Sequence, residues 1–153
     1  MNRQDLAVFL KRYGLPVPPE LETAGALRIL IVDDDGADRE RMARLVRSRY
    51  PAAVIEETED GFVAGHKVAG DRTDLVILDV MLPGVNGLKV CESIRSDARL
   101  RGVKVLGMSG FTAGNGLKRR FLESGGDDFL CKDAEDEEFL QKIQTLLGQR
   151  AGG

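Results

Sequence analysis

Residues Leu27-Arg28-Ile29-Leu30-Ile31-Val32 run straight into Asp33-Asp34-Asp35, and Leu75-Val76-Ile77-Leu78 runs straight into Asp79. Two near-continuous apolar stretches that each end on acid read as parallel strands covered on both faces, with charge at their carboxyl ends. A third such run spans 103–109 and closes on Ser109-Gly110. Shorter candidates lie at 53–56 and 128–131, the last followed by Lys132-Asp133. Between these stretches, apolar residues recur at helical spacing at about 38–49, 62–68, 88–96, 117–124 and 136–147. Alternating strands and helices predict a doubly wound α/β sheet, because parallel neighbours must be joined by right-handed helical crossovers. In such sheets the chemistry sits just past the carboxyl ends of the strands.

Composition agrees and excludes several function classes. The 153 residues are 42% hydrophobic and 31% charged, enough apolar material for a real core in one domain plus an appendage. Lys and Arg total 22 against 25 Asp and Glu, a net charge of −3, so binding nucleic acid by bulk charge is disfavoured. Aromatics are 5% with no Trp, which argues against a base-stacking surface. The longest apolar run, 75–82, is broken by Asp79 and falls far short of the roughly 20 residues a bilayer requires. Asp5, Lys11 and Arg12 interrupt the N-terminus where a signal peptide would need an apolar stretch, so a cytoplasmic location is expected. Cys91 and Cys131, 40 residues apart in apolar settings, read as reduced core residues.

Reading only the strand ends collects Asp33, Asp34, Asp35, Asp79, Ser109 and Lys132 on one rim. Carboxylates held a few ångströms apart in a partly desolvated cleft repel one another, which costs stability unless a cation is bound. A hard divalent ion answers that need, and Mg²⁺ suits a site of few carboxylates that keeps waters and accepts a phosphate oxygen. Asp35 also reads as the cap of the helix that follows.

With these residues on the page, the chain resembles the receiver domain of two-component response regulators. The resemblance is carried by Ile29-Leu30-Ile31-Val32-Asp33-Asp34-Asp35, by Leu78-Asp79-Val80-Met81-Leu82-Pro83-Gly84-Val85-Asn86-Gly87, by Met108-Ser109-Gly110, and by Gly126-Asp127-Asp128-Phe129-Leu130-Cys131-Lys132. It runs from about residue 27 to 147. It implies a flavodoxin-like five-stranded parallel sheet of order 2-1-3-4-5. It implies Asp79 as acceptor of a phosphoryl group from a sensor histidine kinase or a histidine phosphotransfer protein. It further implies that Asp33, Asp34, Asp79 and the main-chain carbonyl of Met81 hold Mg²⁺, and that Lys132 pairs with Asp79 and then with the phosphoryl oxygens. Ser109 and Phe129 become the switch pair: the Ser109 hydroxyl moves to the phosphoryl group and opens space for the Phe129 ring to rotate toward the core. The face of the fourth helix, fifth strand and fifth helix then changes shape for output, as in transcription regulation. The physical sense stands beside the family: a carboxylate accepts a phosphoryl group only where the arriving charge is offset, and a phosphoaspartate adds nearly two negative charges for a hydroxyl to report.

Some residues depart from the family pattern. Family members usually carry Pro, often with a cis bond, where Asp133 stands, which leaves either a rebuilt trans loop or a differently aimed Lys132. Gly110 replaces a commoner small residue, and Gly114-Asn115-Gly116 loosens the entry to the fourth helix. Met81 and Phe111 flank the site and neither can orient a water, so slow self-dephosphorylation is expected. Phe129 lacks the hydroxyl of a tyrosine switch. Lys118, Arg119 and Arg120 against Asp133, Glu135, Asp136, Glu137 and Glu138 suit a two-fold homodimer through the output face. Arg39, Arg41, Arg44, Arg47 and Arg49 read as a solvated helix face or a kinase-docking one, and His66 as an exposed or satisfied histidine. The rival from the enzyme class is a haloacid-dehalogenase-like Mg²⁺ phosphatase with Asp33 as nucleophile and Asp35 beside it.

Domain organisation reads as 1–25, an N-terminal helix and Pro-rich linker; 26–148, the receiver; and 149–153, a flexible tail. Leu6, Phe9, Leu10 and Tyr13 fall at helical spacing and Gly14 is a natural stop, but a helix of about ten residues is marginal alone in water. Its apolar stripe therefore needs the main domain, a second copy or another partner. Residues 4–22 are similar to the closing helix and linker that follow a MerR- or excisionase-type helix-turn-helix, which implies a DNA-binding unit upstream of residue 1. An ordinary extension folded back on the receiver is the other reading. No DNA-reading helix and no membrane segment is expected in 26–148.

Overall fold

Each inner strand of the sheet is buried on both faces, as its unbroken apolar sequence requires. A computed structural model of the chain describes residues 2–22, 25–70, 72–82, 86–110 and 116–148. Phe111, Gly114, Asn115, the Pro83-Gly84-Val85 piece of the second motif and the tail 149–153 lie outside the described residues. The elements are α1 (Arg3–Arg12), α2 (Pro19–Glu22), β1 (Arg28–Val32), α3 (Gly36–Arg49), β2 (Val54–Thr58), α4 (Gly61–Gly70) and β3 (Leu75–Asp79). They continue with α5 (Gly87–Ser96), a 3₁₀ turn (Ala98–Leu100), β4 (Lys104–Ser109), α6 (Leu117–Glu123), β5 (Asp128–Cys131) and α7 (Asp136–Leu147). All strand pairs are parallel and the order is β2-β1-β3-β4-β5, as expected.

Successive side chains of a strand point to opposite faces, so each strand feeds two cores. Ile29, Ile31, Leu75, Ile77, Leu106 and Met108 pack against Met42, Ala43 and Val46 of α3 and Phe139, Leu140, Ile143 and Leu147 of α7. On the other side Leu30, Val32, Val76, Leu78 and Val105 meet Ala64 and Val68 of α4, Val90, Cys91 and Ile94 of α5 and Phe121 of α6. Cys91 is a core residue, its thiol pushed up to about 11 by burial, and neither it nor Cys131 is in a disulfide.

Several boundaries differ from the sequence reading by a residue or two, and two of them have a plain physical reason. The edge strand β2 runs to Thr58 rather than 56, because Ile31 and Val32 continue their pairing onto the polar Glu57 and Thr58. Helix α3 starts at Gly36, two residues early, because the Asp35 side chain accepts hydrogen bonds from the backbone N–H groups of Ala37 and Asp38. Helix α1 is capped by Asn2 and packs with α2; Ala7 and Leu21 are buried, while Leu6, Val8, Phe9 and Tyr13 remain exposed.

The loop after β3 is held by a close approach. A Cβ on Gly87 would lie 2.6 Å from the Val80 Cα and 2.9 Å from the Asp79 carbonyl oxygen, both backbone atoms with nowhere to go. The start of α5 can press on the loop beyond Asp79 only through glycine. Gly87→Ala is therefore expected to lower stability by about 1–3 kcal/mol, the usual cost of overpacking; a urea midpoint equal to wild type would refute the contact.

Candidate functional site

The carboxyl ends of β1, β3, β4 and β5 bring together the residues singled out from sequence. Asp33 closes β1 with no exposed surface, Asp79 closes β3 and is buried, Ser109 closes β4 and is buried, and Asp34 lies exposed at the mouth. Carboxylate oxygens of Asp33, Asp34 and Asp79 lie within 4.8 Å of one another. One Asp79 oxygen, Oδ1, accepts the Met81 N–H at 2.8 Å, which folds the loop back over the strand end and leaves the Met81 side chain exposed.

Lys132 is the resident cation. Its Nζ stands 2.6 Å from Asp33 Oδ2, 3.0 Å from Asp79 Oδ2 and 3.0 Å from Asp38 Oδ2. Burial opposes its charge, but the bonds to Asp33, Asp38 and Asp79 outweigh that and hold its pKa above the ordinary lysine value. No peptide bond is cis among the described residues, so the Lys132–Asp133 bond is trans and the ammonium still reaches Asp79. The main chain of Lys132 is set by its N–H, which donates to the Ser109 carbonyl at 2.8 Å.

Asp33 carries the cost of this crowding. Burial pushes its carboxyl up to about 6 against the pull of the nearby Lys132 ammonium and the hydrogen bond from the Asp35 N–H, and the Asp79 charge adds to the rise. Its Oδ2 is buried with no aligned hydrogen-bond donor, the Lys132 ammonium being close but off the bonding direction. A buried carboxylate oxygen facing two further carboxylates is an all-oxygen, anionic donor set of the kind that hard divalent cations take. The residues present therefore fit Mg²⁺.

Asp38 is the site residue that sequence reasoning did not single out. It stands in the first turn of α3, where an acid three residues after an Asp cap reads as a partner for the helix dipole. Ion pairs tie α3 to its neighbours. Asp136 and Glu137 of α7 pair with Arg41 and Arg49 of α3, and Arg119 of α6 bonds its own neighbour Glu123. Two of the acids offered for a homodimer face are thus already engaged. Arg39 donates to the Asp33 carbonyl at 2.6 Å and lies 3.8 Å from Glu57, so the solvated-face reading holds for Arg44 and Arg47 rather than for all five arginines. Phe129 already sits in the core, its ring centroid 6.0 Å from that of Phe121. His66 is exposed beside Phe62.

The phosphatase alternative does not stand. Its second acid, Asp35, is committed as the cap of α3.

Comparison with known proteins gives one family. The response regulator receiver domain model matches residues 29–144. A response regulator MprA of Mycobacterium ulcerans is 37% identical over 124 residues, which is 80% of this chain and 50% of that protein. The chain spans about half the length of the curated relatives it matches. Among solved structures, the signal receiver domain of a DNA-binding response regulator (merR) from Colwellia psychrerythraea superposes with a TM-score of 0.73 at 24% identity, covering 79% of this chain and 98% of that one. The receiver domain of the sensor histidine kinase PA1611 from Pseudomonas aeruginosa, with a magnesium ion in its active site cleft, gives 0.72 at 24% identity, covering 80% and 98%. At that identity the two structures speak for the fold.

A buried carboxylate whose pKa is raised from 3.8 to about 6 favours the protonated folded state. The stability it contributes is fully present below its unfolded value and is lost as pH rises through about 6. Asp33→Asn should therefore flatten the loss of stability that the chelator-treated wild type shows as pH rises through about 6. The same change should erase the rise in unfolding midpoint that Mg²⁺ gives the wild type. Thermal unfolding across this pH range with EDTA and with Mg²⁺ checks both; a variant that keeps the pH dependence and still responds to Mg²⁺ contradicts the assignment.

Proposed function

The chain belongs to the response regulator receiver family, and from that premise we propose that Asp79 is its phosphoacceptor, taking a phosphoryl group from the phosphohistidine of a sensor histidine kinase or of a histidine phosphotransfer protein. The observation that carries this reading is the seating of the Asp79 carboxylate. One oxygen is tied to its own loop, and the other faces the Lys132 ammonium 3.0 Å away, where Asp33 and Asp34 converge.

In the transfer a carboxylate oxygen of Asp79 forms a bond to phosphorus as the donor's phosphorus–nitrogen bond breaks, and the imidazole leaves with the electron pair. Bound Mg²⁺ supplies the charge that offsets the phosphoryl oxygens, and Asp33, Asp34, Asp79 and the Met81 carbonyl are the groups we assign to it. The magnesium ion in the cleft of the Pseudomonas receiver supports that choice. Lys132 offsets the remaining charge from the side of β5 and moves from the carboxylates to a phosphoryl oxygen. Ser109, buried at the end of β4, is the hydroxyl placed to report the arrival. The report passes to Phe129 and the α6–β5–α7 face, through which the unit acts on a partner, a second copy or a DNA-binding unit of a longer regulator. We read 26–148 as the receiver unit, 1–25 as an appended helix and linker, and the setting as cytoplasmic.

Mg²⁺ with beryllofluoride or acetyl phosphate is expected to modify the chain at Asp79 and to leave Asp79→Asn unmodified, as mapped by mass spectrometry after borohydride trapping of the acyl phosphate. Modification at Asp33, or none anywhere, would overturn the reading. The exposed, apolar Met81 offers no group to orient an attacking water, so any self-dephosphorylation is slow. Met81→Asn should speed loss of the phosphoryl group by about tenfold, and an unchanged decay rate would count against this account.

A further inference from the structure

We propose that Asp38 and Arg41, neighbours on one face of α3, are positioning residues that hold Lys132 at both ends, Asp38 by its ammonium and Arg41 by its carbonyl. The proposal rests on the phosphoacceptor reading above and extends it to a helix that supplies none of the strand-end groups.

Lys132 lies in a turn beyond β5 and carries a flexible stem. Its carbonyl accepts a hydrogen bond from Arg41 Nη1 at 3.3 Å, and the other arm of that guanidinium pairs with Asp136 at the start of α7. Arg41 thereby braces the turn from both sides. One helical step back, three residues away and on the same face, Asp38 bonds the Lys132 ammonium at 3.0 Å. The ammonium has three protons and three carboxylates around it, but these are not equivalent. Asp33 and Asp79 belong to the convergent set with Asp34, and Asp38 does not.

That difference decides what happens when a divalent cation arrives. Its charge offsets Asp33 and Asp79 and repels the ammonium, so the pull that kept Lys132 over the rim weakens from two sides. Among the described residues in contact with Lys132, Asp38 is the carboxylate left uncommitted. It keeps the ammonium within reach of the oxygens that come onto Asp79, while Arg41 keeps the main chain from swinging away. Hydrogen bonds to charged groups are the stronger kind, and this one is half-buried, so its loss is measurable.

The experiment is a beryllofluoride titration of the full chain at saturating Mg²⁺, followed by fluorine NMR, on wild type, Asp38→Asn, Arg41→Gln, Lys132→Met and the two doubles with Lys132→Met. Each α3 variant is expected to weaken beryllofluoride binding by about three- to tenfold, and neither should add to the loss once Lys132 is methionine. A variant that binds like wild type, or that loses as much without Lys132 as with it, overturns the proposal while leaving the phosphoacceptor reading intact. Wild type that binds no mimic overturns that reading and this proposal with it. Should Lys132→Met abolish binding, the Lys132 ε-ammonium resonance of the Mg²⁺-loaded chain decides: a shift to the free-lysine position in Asp38→Asn supports the clamp, and an unmoved resonance overturns it.

Discussion

Repulsion among carboxylates at one edge of a parallel sheet is the constraint on which the rest of this structure turns. Strands β1 and β3 lie side by side and end level, so the acids that terminate them must meet. Water cannot screen them well, because Asp33 and Asp79 are both buried. The fold answers with one ammonium shared among three acids, and even so it leaves Asp33 Oδ2 without an aligned donor. Such a donor set suits a dication.

The strands deliver the acids, but α3 organises the space around them. Asp35 turns its side chain into the helix cap, which removes it from the rim and sets where the helix begins. Arg39 then bonds the Asp33 carbonyl, Asp38 bonds Lys132, and Arg41 bonds the Lys132 carbonyl and Asp136. One amphipathic helix thus packs Met42, Ala43 and Val46 into the core while its first turns hold the strand ends in register with the start of α7. The cap at Asp35 leaves Asp38 in the first turn with its side chain free of capping, so it can reach the lysine.

What could be read from the amino-acid sequence follows from how strong each physical signal is. Runs such as Leu75–Leu78 can only be buried strands when their neighbours are equally apolar, so the parallel sheet and the convergence of Asp33, Asp34, Asp79, Ser109 and Lys132 were legible, while the strand order came only from the family resemblance. The end of β2 was not, because an edge strand is satisfied by main-chain pairing and tolerates Glu57 and Thr58. Asp38 was hidden for a different reason. An acid in the first turn of a helix has a sufficient local explanation in the dipole, and nothing in its neighbours reveals a lysine 94 residues away. The α3–α7 ion pairs were hidden likewise, because charge patterns identify complementary faces but not which helix stands opposite.

The packing beneath the rim limits how a signal can leave it. The Phe129 ring is in the core, tilted against Phe121 with ring centroids 6.0 Å apart. Phe121 is fully buried, and a Cβ on Gly107 would come within 2.7 Å of its ring, which shows how tightly β4 presses on it. Close-packed cores move between discrete arrangements rather than deforming smoothly. Ser109 stands two residues along the same strand from Gly107, and Phe121 belongs to α6, so the ring pair lies between the end of β4 and that helix.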